Sequence, residues 1–283
     1  MRLRLRPIGA ALFTLLLLGG CSALSLLDAL TADGGYRVER DIAYGPLPRQ
    51  HLDIYRPLTP ADPGRPVLVF FYGGSWRFGE RGQYRFIGQS FASAGYVTVV
   101  ADYRLYPDVQ FPDFVEDGAA AVARVARDIP GAAGHIVVAG HSAGAYIAAM
   151  LACDPRYLDA AGPGRRVLAG FIGAAGPYDF TPTGTTALIL ASPDGRPTMP
   201  VGTADGHEPP ALLLVAEDDE TVSTGNSQRL AARLEDLGDR VEIRRYQGPS
   251  HATLVAALGT ALPDIAPARA DVLDFLREQS SSR

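Results

Sequence analysis

The chain has 283 residues, 47% of them hydrophobic, and a formal net charge of −5, which suits one sizeable α/β domain with a full core. The acidic balance argues against nucleic acid as a partner and against a polybasic membrane patch. All 26 basic residues are arginine, and the absence of lysine excludes Schiff-base chemistry and Ser–Lys dyads.

The N-terminus runs Met1-Arg2-Leu3-Arg4-Leu5-Arg6, then an apolar stretch from Ile8 to Leu18, then Gly19-Gly20-Cys21-Ser22. A basic start, a short apolar run and small residues describe a secretion signal, and the run is too short to span a bilayer. The segment resembles a bacterial lipoprotein signal. That resemblance implies loss of residues 1–20, a lipid on Cys21 and a place in the cell envelope, anchored to a membrane and facing the periplasm. Ser22 resembles the pattern sorted to the outer membrane of a Gram-negative host. The mature chain would carry 23 basic and 31 acidic residues, a net −8. With Cys21 acylated, Cys153 has no partner for an intrachain disulfide and is expected as a buried, inert thiol.

Residues 21–35 are small and polar with scattered leucines, and they are expected as a tether. From residue 36 to 280 the pattern is that of a single domain. Tyr36, Val38, Ile42 and Tyr44, then Leu52 and Ile54, suggest two half-buried antiparallel strands at a sheet edge. Val67 to Phe71 and Tyr96 to Val100 are short apolar runs of the kind buried on both faces of a parallel sheet. A helix follows with Val115, Ala119, Val122 and Ala126 on one face, stopped by Pro130-Gly131. Ile136 to Ala139, Val167 to Ile172 and Ala211 to Val215 are three further buried runs. Between the last two, Gly176 to Pro210 is long and rich in Gly, Pro and Thr, as functional loops often are. A helix with Leu230, Leu234 and Leu237, a strand Val241 to Tyr246 and C-terminal helical segments complete the chain. Strands alternating with helices predict an α/β fold with a mostly parallel sheet covered on both faces, and ligands bind such sheets at the carboxyl ends of strands.

One stretch carries chemistry. Gly140-His141-Ser142-Ala143-Gly144 stands between a buried strand and an Ala-rich helical segment, the context of a nucleophile elbow. A serine hydroxyl needs a base within hydrogen-bond reach. Of five histidines, His51 precedes an edge strand, His135 lies at the entry end of the elbow strand, His141 points away from Ser142, and His207 leads into the start of a strand. His251, after the last strand, stands at a carboxyl end and is the candidate base. An acid must fix its tautomer, and Glu217-Asp218-Asp219-Glu220 follows another strand; spacing leaves all four open. The oxyanion donors are expected from Ala143 and from the loop Tyr72-Gly73-Gly74-Ser75-Trp76. Ser75, Trp76 and Tyr178 are candidate pocket residues, with Trp76 equally suited to packing beneath the loop. Asp179, also at a strand's carboxyl end, is a further candidate substrate contact. No metal-ligand spacing and no phosphate-binding loop occurs, so neither a metal nor a cofactor is expected.

The segments Tyr72 to Trp76, Asp102 to Pro107, Phe111-Pro112, Glu116 to Gly118, Gly140 to Gly144 and Gly176 to Asp179, with the Asp219 and His251 regions, resemble the α/β-hydrolase carboxylesterases. The likeness is to those related to hormone-sensitive lipase and to bacterial feruloyl and aryl-formamide hydrolases. It implies an α/β-hydrolase fold, a small-molecule ester as substrate, and Asp219 as the triad acid, three residues beyond Ala216. Asp102, Arg104, Glu116 and Asp117 would tie strand ends and helix starts together. The family usually has His-Gly-Gly where Tyr72 begins the loop, which leaves the backbone donors in place. Aryl-formamide or amide hydrolysis, and non-catalytic ligand binding by a surface lipoprotein, are the alternatives.

Overall fold

A computed structural model of the chain describes residues 27–59, 62 and 64–280. The expected signal segment 1–20 and the lipidation site Cys21 lie outside the described residues. Eight strands form one sheet in the order β1-β2-β4-β3-β5-β6-β7-β8. They are β1 (Tyr36–Ala43), β2 (His51–Pro57), β3 (Val67–Phe71), β4 (Thr98–Ala101), β5 (Ile136–His141), β6 (Leu168–Ala174), β7 (Ala211–Ala216) and β8 (Val241–Tyr246). β1 pairs with β2, and β2 with β4, in antiparallel fashion, while every pair from β4 to β8 is parallel.

Burial follows the sequence pattern. β3, β4, β5 and β7 are buried along their whole length, as both-face burial of a parallel sheet requires, whereas β1 alternates at the edge. The second apolar run is strand only from Thr98, because Tyr96 still belongs to the turn after Ala92, where its N–H donates to Phe91 O at 3.1 Å.

The helices are α1 (Arg85–Ala92), α2 (Asp113–Asp128), α3 (Ala143–Cys153), α4 (Pro155–Ala161), α5 (Thr185–Ile189), α6 (Pro200–Thr203), α7 (Gly225–Leu237), α8 (His251–Ala256) and α9 (Ala268–Ser280). α3 is buried on every side, so its alanines and Gly144 serve close packing against the sheet and α2. Cys153 ends α3 as a buried free thiol, and burial pushes its pKa up, as an inert core cysteine requires.

Two expectations need correction. The stretch Gly176 to Pro210 is not irregular throughout, since it contains α5 and α6. It is also fastened down: Phe111 N–H donates to Ile189 O at 2.8 Å, and the Tyr146 hydroxyl on α3 donates to Thr198 O. Of the residues 21–35 expected as a tether, described ones from Leu27 to Asp33 lie against the domain. Leu27 is buried, and Arg85 donates to Thr31 O at 3.0 Å and Asp33 Oδ1 at 2.7 Å, docking these residues on α1. The residues from 21 to 26 lie outside the described set.

Candidate active site

The strand–turn–helix expected around Ser142 is present and tight. β5 ends at His141, α3 begins at Ala143, and Ser142 sits between them at φ 54°, ψ −122°. A non-glycine residue there stores strain, and its neighbours hold it in place. Ser142 N–H donates to Ala174 O at 2.9 Å, and Ser142 O accepts from Tyr146 N–H at 3.1 Å. Gly144 permits the turn: a Cβ there would lie 2.0 Å from Phe71 O and 2.5 Å from Tyr72 O, both backbone atoms that cannot step aside. The N-terminus of α3 therefore points its free N–H groups and positive dipole end at the serine.

His251 opens α8 after β8, at the same end of the sheet. A capping box between Ser250 and Thr253 sets the helix start. The Nδ1 of His251 is 2.7 Å from Asp219 Oδ2, while Asp219 Oδ1 accepts from the N–H groups of Thr221 and Val222, each at 2.8 Å. Burial alone would raise the carboxyl's pKa, but the hydrogen bonds from His251 and these amides prevail, and it lies below the usual value. Of the four adjacent acids, Asp219 is the one that meets the histidine. Glu217 pairs with Arg245 at 3.0 Å, Asp218 accepts from Gly248 N–H at 3.0 Å, and Glu220 is exposed.

The loop after β3 comes up against the elbow. A Cβ on Gly73 would lie 3.0 Å from Ser142 Cβ, so only glycine allows this backbone so near the serine. Gly74 (φ 134°), Ser75 (φ 53°) and Trp76 (φ 57°) are successive positive-φ residues, and Arg77 and Phe78 both donate to Gly74 O at 3.0 Å. Ala143, the other expected donor residue, is buried at the first position of α3.

Tyr72 explains how this loop is held without the usual histidine. Its ring stacks between Tyr84 (5.3 Å) and Tyr103 (4.8 Å). Its hydroxyl donates to Asp102 Oδ1 at 2.7 Å and accepts from Arg49 Nη2 at 2.6 Å. Burial keeps the phenol protonated, with its pKa well above the usual value. Arg81 then joins Asp102 to Asp53 and Asp41, and Arg104 with Gln50 satisfies the buried Asp117. The structural role expected for Asp102, Arg104 and Asp117 matches these contacts; Glu116 is exposed and takes no part in them. Arg49, Gln50, Asp53 and Arg81 were not anticipated, because their partners lie far away in the chain. Replacing Tyr72 by phenylalanine leaves a buried carboxylate and an arginine each one hydrogen bond short. The expected loss is about 1–3 kcal/mol of stability, read as a lowered melting temperature in Tyr72→Phe with catalytic constants little changed.

Other candidates fall elsewhere. Trp76 packs beneath the loop, edge-on to Tyr146 at 5.2 Å and against Phe114 at 6.0 Å. Tyr178, expected as a pocket wall, is fully buried: its hydroxyl fills the space above Gly173, and its ring meets Phe171 edge-on at 6.2 Å. The small Gly173 and Gly176 draw the ring inward, so it is core and not pocket. Asp179 is engaged by Arg229 at 2.5 Å, with its own N–H donating to Asn226. Ser75 is exposed on the loop beside the elbow. His51 bonds locally to Pro48 O at 3.1 Å, His135 lies at the entry to β5, and His207 is exposed before β7.

Residues 52–182 match the BD-FAE family model. A probable isoprenylcysteine alpha-carbonyl methylesterase of Arabidopsis thaliana is 27% identical over 83% of this chain, and the chain spans 56% of that relative's length. Esterase LipC of Mycobacterium tuberculosis is 35% identical over 43% of the chain and 32% of its own length. Among solved structures, an inhibited esterase B from Lactobacillus rhamnosis superposes with a TM-score of 0.77 at 18% identity, covering 95% of this chain and 97% of that one. Antiparallel edge, parallel centre and tight strand–turn–helix at Ser142 agree with these likenesses: the chain has the α/β-hydrolase fold and is similar in sequence to carboxylesterases.

Proposed function

We propose that the protein is a serine carboxylic ester hydrolase. Ser142 Oγ attacks the ester carbonyl as His251 takes its proton, forming a tetrahedral oxyanion. The oxyanion is met by the N–H groups of Ala143 and of Gly74, with Gly73 beside them. The carbon–oxygen bond to the leaving group breaks, His251 returns the proton to the departing alcohol, and the acyl group stays on Ser142. Water, deprotonated by His251, then attacks the acyl-enzyme; the acid departs and Ser142 regains its proton. Asp219 orients His251 and stabilises the imidazolium.

The observation that carries this reading is the 2.7 Å bond between His251 and Asp219 beside a strained serine elbow. Several of the similar proteins are esterases, which supports the class of substrate. We also propose, from the sequence alone, that Cys21 anchors the enzyme by lipid in the cell envelope. A fluorophosphonate probe is expected to label the wild type on the Ser142 peptide. The protein should also turn over p-nitrophenyl esters, assayed from acetate to palmitate and against an aryl formamide. A wild type that takes no probe, or takes it on another serine, overturns the assignment. Faster turnover of the formamide moves it to amide hydrolysis.

A further inference from the structure

The middle residue of the elbow motif has a place that its role as a spacer does not explain. His141 is buried at the end of β5, and its Nε2 lies 2.9 Å from the carbonyl oxygen of His251. The two rings are 4.8 Å apart, tilted at 45°. A carbonyl oxygen only accepts, so Nε2 carries the proton and Nδ1 bears the lone pair. That Nδ1 is buried and has no hydrogen-bond partner among the described residues. It faces the loop after β3, where a Cβ on Gly73 would stand 2.9 Å away. One ring therefore fills the space between the main chain of His251 and the Gly73 backbone, adjacent to Ser142. Leaving a buried lone pair unsatisfied costs stability, and such groups call for an explanation.

The neighbouring histidine also has to stay neutral. A second cation 4.8 Å from His251 would oppose the imidazolium that forms during the proposed reaction. Burial first, and the nearness of His251 second, push the pKa of His141 down to about 3, so the ring remains an uncharged donor.

His251 begins a helix of only six residues. Asp219 holds the imidazole at Nδ1, a contact with the side chain and not with the main chain. The His141 bond fixes this second point directly to the strand that carries the nucleophile. We infer that His141 is a positioning residue: its Nε2–H pins the His251 main chain to β5 and keeps the base in register with Ser142. The inference rests on the hydrolase reading above.

The test compares His141→Phe and His141→Met, which fill the space without a donor, with His141→Gln, which returns an N–H near the Nε2 position. Fluorophosphonate labelling rates, kcat and KM for p-nitrophenyl acetate, and melting temperatures are measured on the full chain. His141→Phe and His141→Met are expected to label about 10- to 100-fold more slowly, with kcat falling in parallel and KM within about twofold, as small misplacements of a catalytic group do. His141→Gln should recover to within about threefold of wild type. Labelling at the wild-type rate in a folded non-donor variant overturns the inference and leaves the hydrolase reading intact. So does a folded Gln variant as slow as the Phe one. Failure of both non-donor variants to fold would reduce His141 to a core residue and overturn it too. A wild type that takes no label defeats the hydrolase reading, and this inference with it.

Discussion

Ser142→Ala and Ser142→Gly are both expected to lose ester turnover by roughly 10⁵- to 10⁶-fold, the scale on which a triad nucleophile acts, but to differ in stability. The difference comes from the backbone. At φ 54°, ψ −122°, the Cβ of any L-residue is crowded by its own peptide groups, a cost of about 1–3 kcal/mol. Alanine keeps that Cβ and glycine lacks it. Glycine in turn loses more freedom on folding, about 0.5–1 kcal/mol. The net expectation is that Ser142→Gly exceeds Ser142→Ala by about 0.5–2 kcal/mol, or a melting temperature higher by several degrees for a chain of this size. The strain persists because Ser142 N–H is committed to Ala174 O, Ser142 O to Tyr146 N–H, and Gly144 to the backbone at Phe71. Equal melting temperatures would put the strain at only about 0.5–1 kcal/mol, the glycine cost itself, and a glycine variant less stable than the alanine one by that amount would mean that the elbow stores none.

Much of this arrangement was legible in the sequence, and the parts that were not share a cause. The parallel strands announced themselves because burial on both faces leaves only apolar residues: Val67 to Phe71 and Ala211 to Val215 admit no other simple reading. The sharp turn at Ser142 was legible because its glycines are demanded by local geometry. The place of His251 at the same end of the sheet was legible because chain order fixes which loops reach the carboxyl ends of the strands. What escaped depends on contacts between distant residues. His141 bonds a carbonyl 110 residues away, and nothing in Gly-His-Ser-Ala-Gly distinguishes a pinning histidine from a packing one. Tyr178 looked like a pocket residue from its place after β6, but Gly173 and Gly176 opened a space inward that its ring fills. Nothing in Gly79-Glu80-Arg81-Gly82 marks Arg81 out, and only the fold brings Asp41, Asp53 and Asp102 around it. Residues 27–33 read as linker because polarity alone does not reveal that Arg85 waits across the surface for their carbonyls.

The acid is where local pattern was least informative, and it carries the second large effect. Four consecutive acids offered no internal means of choosing, and only the family likeness pointed to Asp219. Asp219→Asn is expected to lower kcat about 10³- to 10⁴-fold with little change in KM, while the protein stays folded. In that variant the amide oxygen, placed as Oδ1 is now, still accepts from the Thr221 and Val222 N–H groups, so the turn survives. The amide nitrogen then faces His251 Nδ1 across the 2.7 Å contact. Two donors cannot share it, so the imidazole yields its Nδ1 proton and carries hydrogen on Nε2 instead. That tautomer has no lone pair for the Ser142 proton, and the charge that would stabilise the imidazolium has gone as well. Asp218→Asn and Glu220→Gln lose no contact with the histidine and are expected to stay within about twofold of wild type. If either of them fell as far as Asp219→Asn, the acid would lie elsewhere in the run and the 2.7 Å contact would be structural. If all three fell alike, the turn as a whole would be at issue, which the melting curves of the variants distinguish.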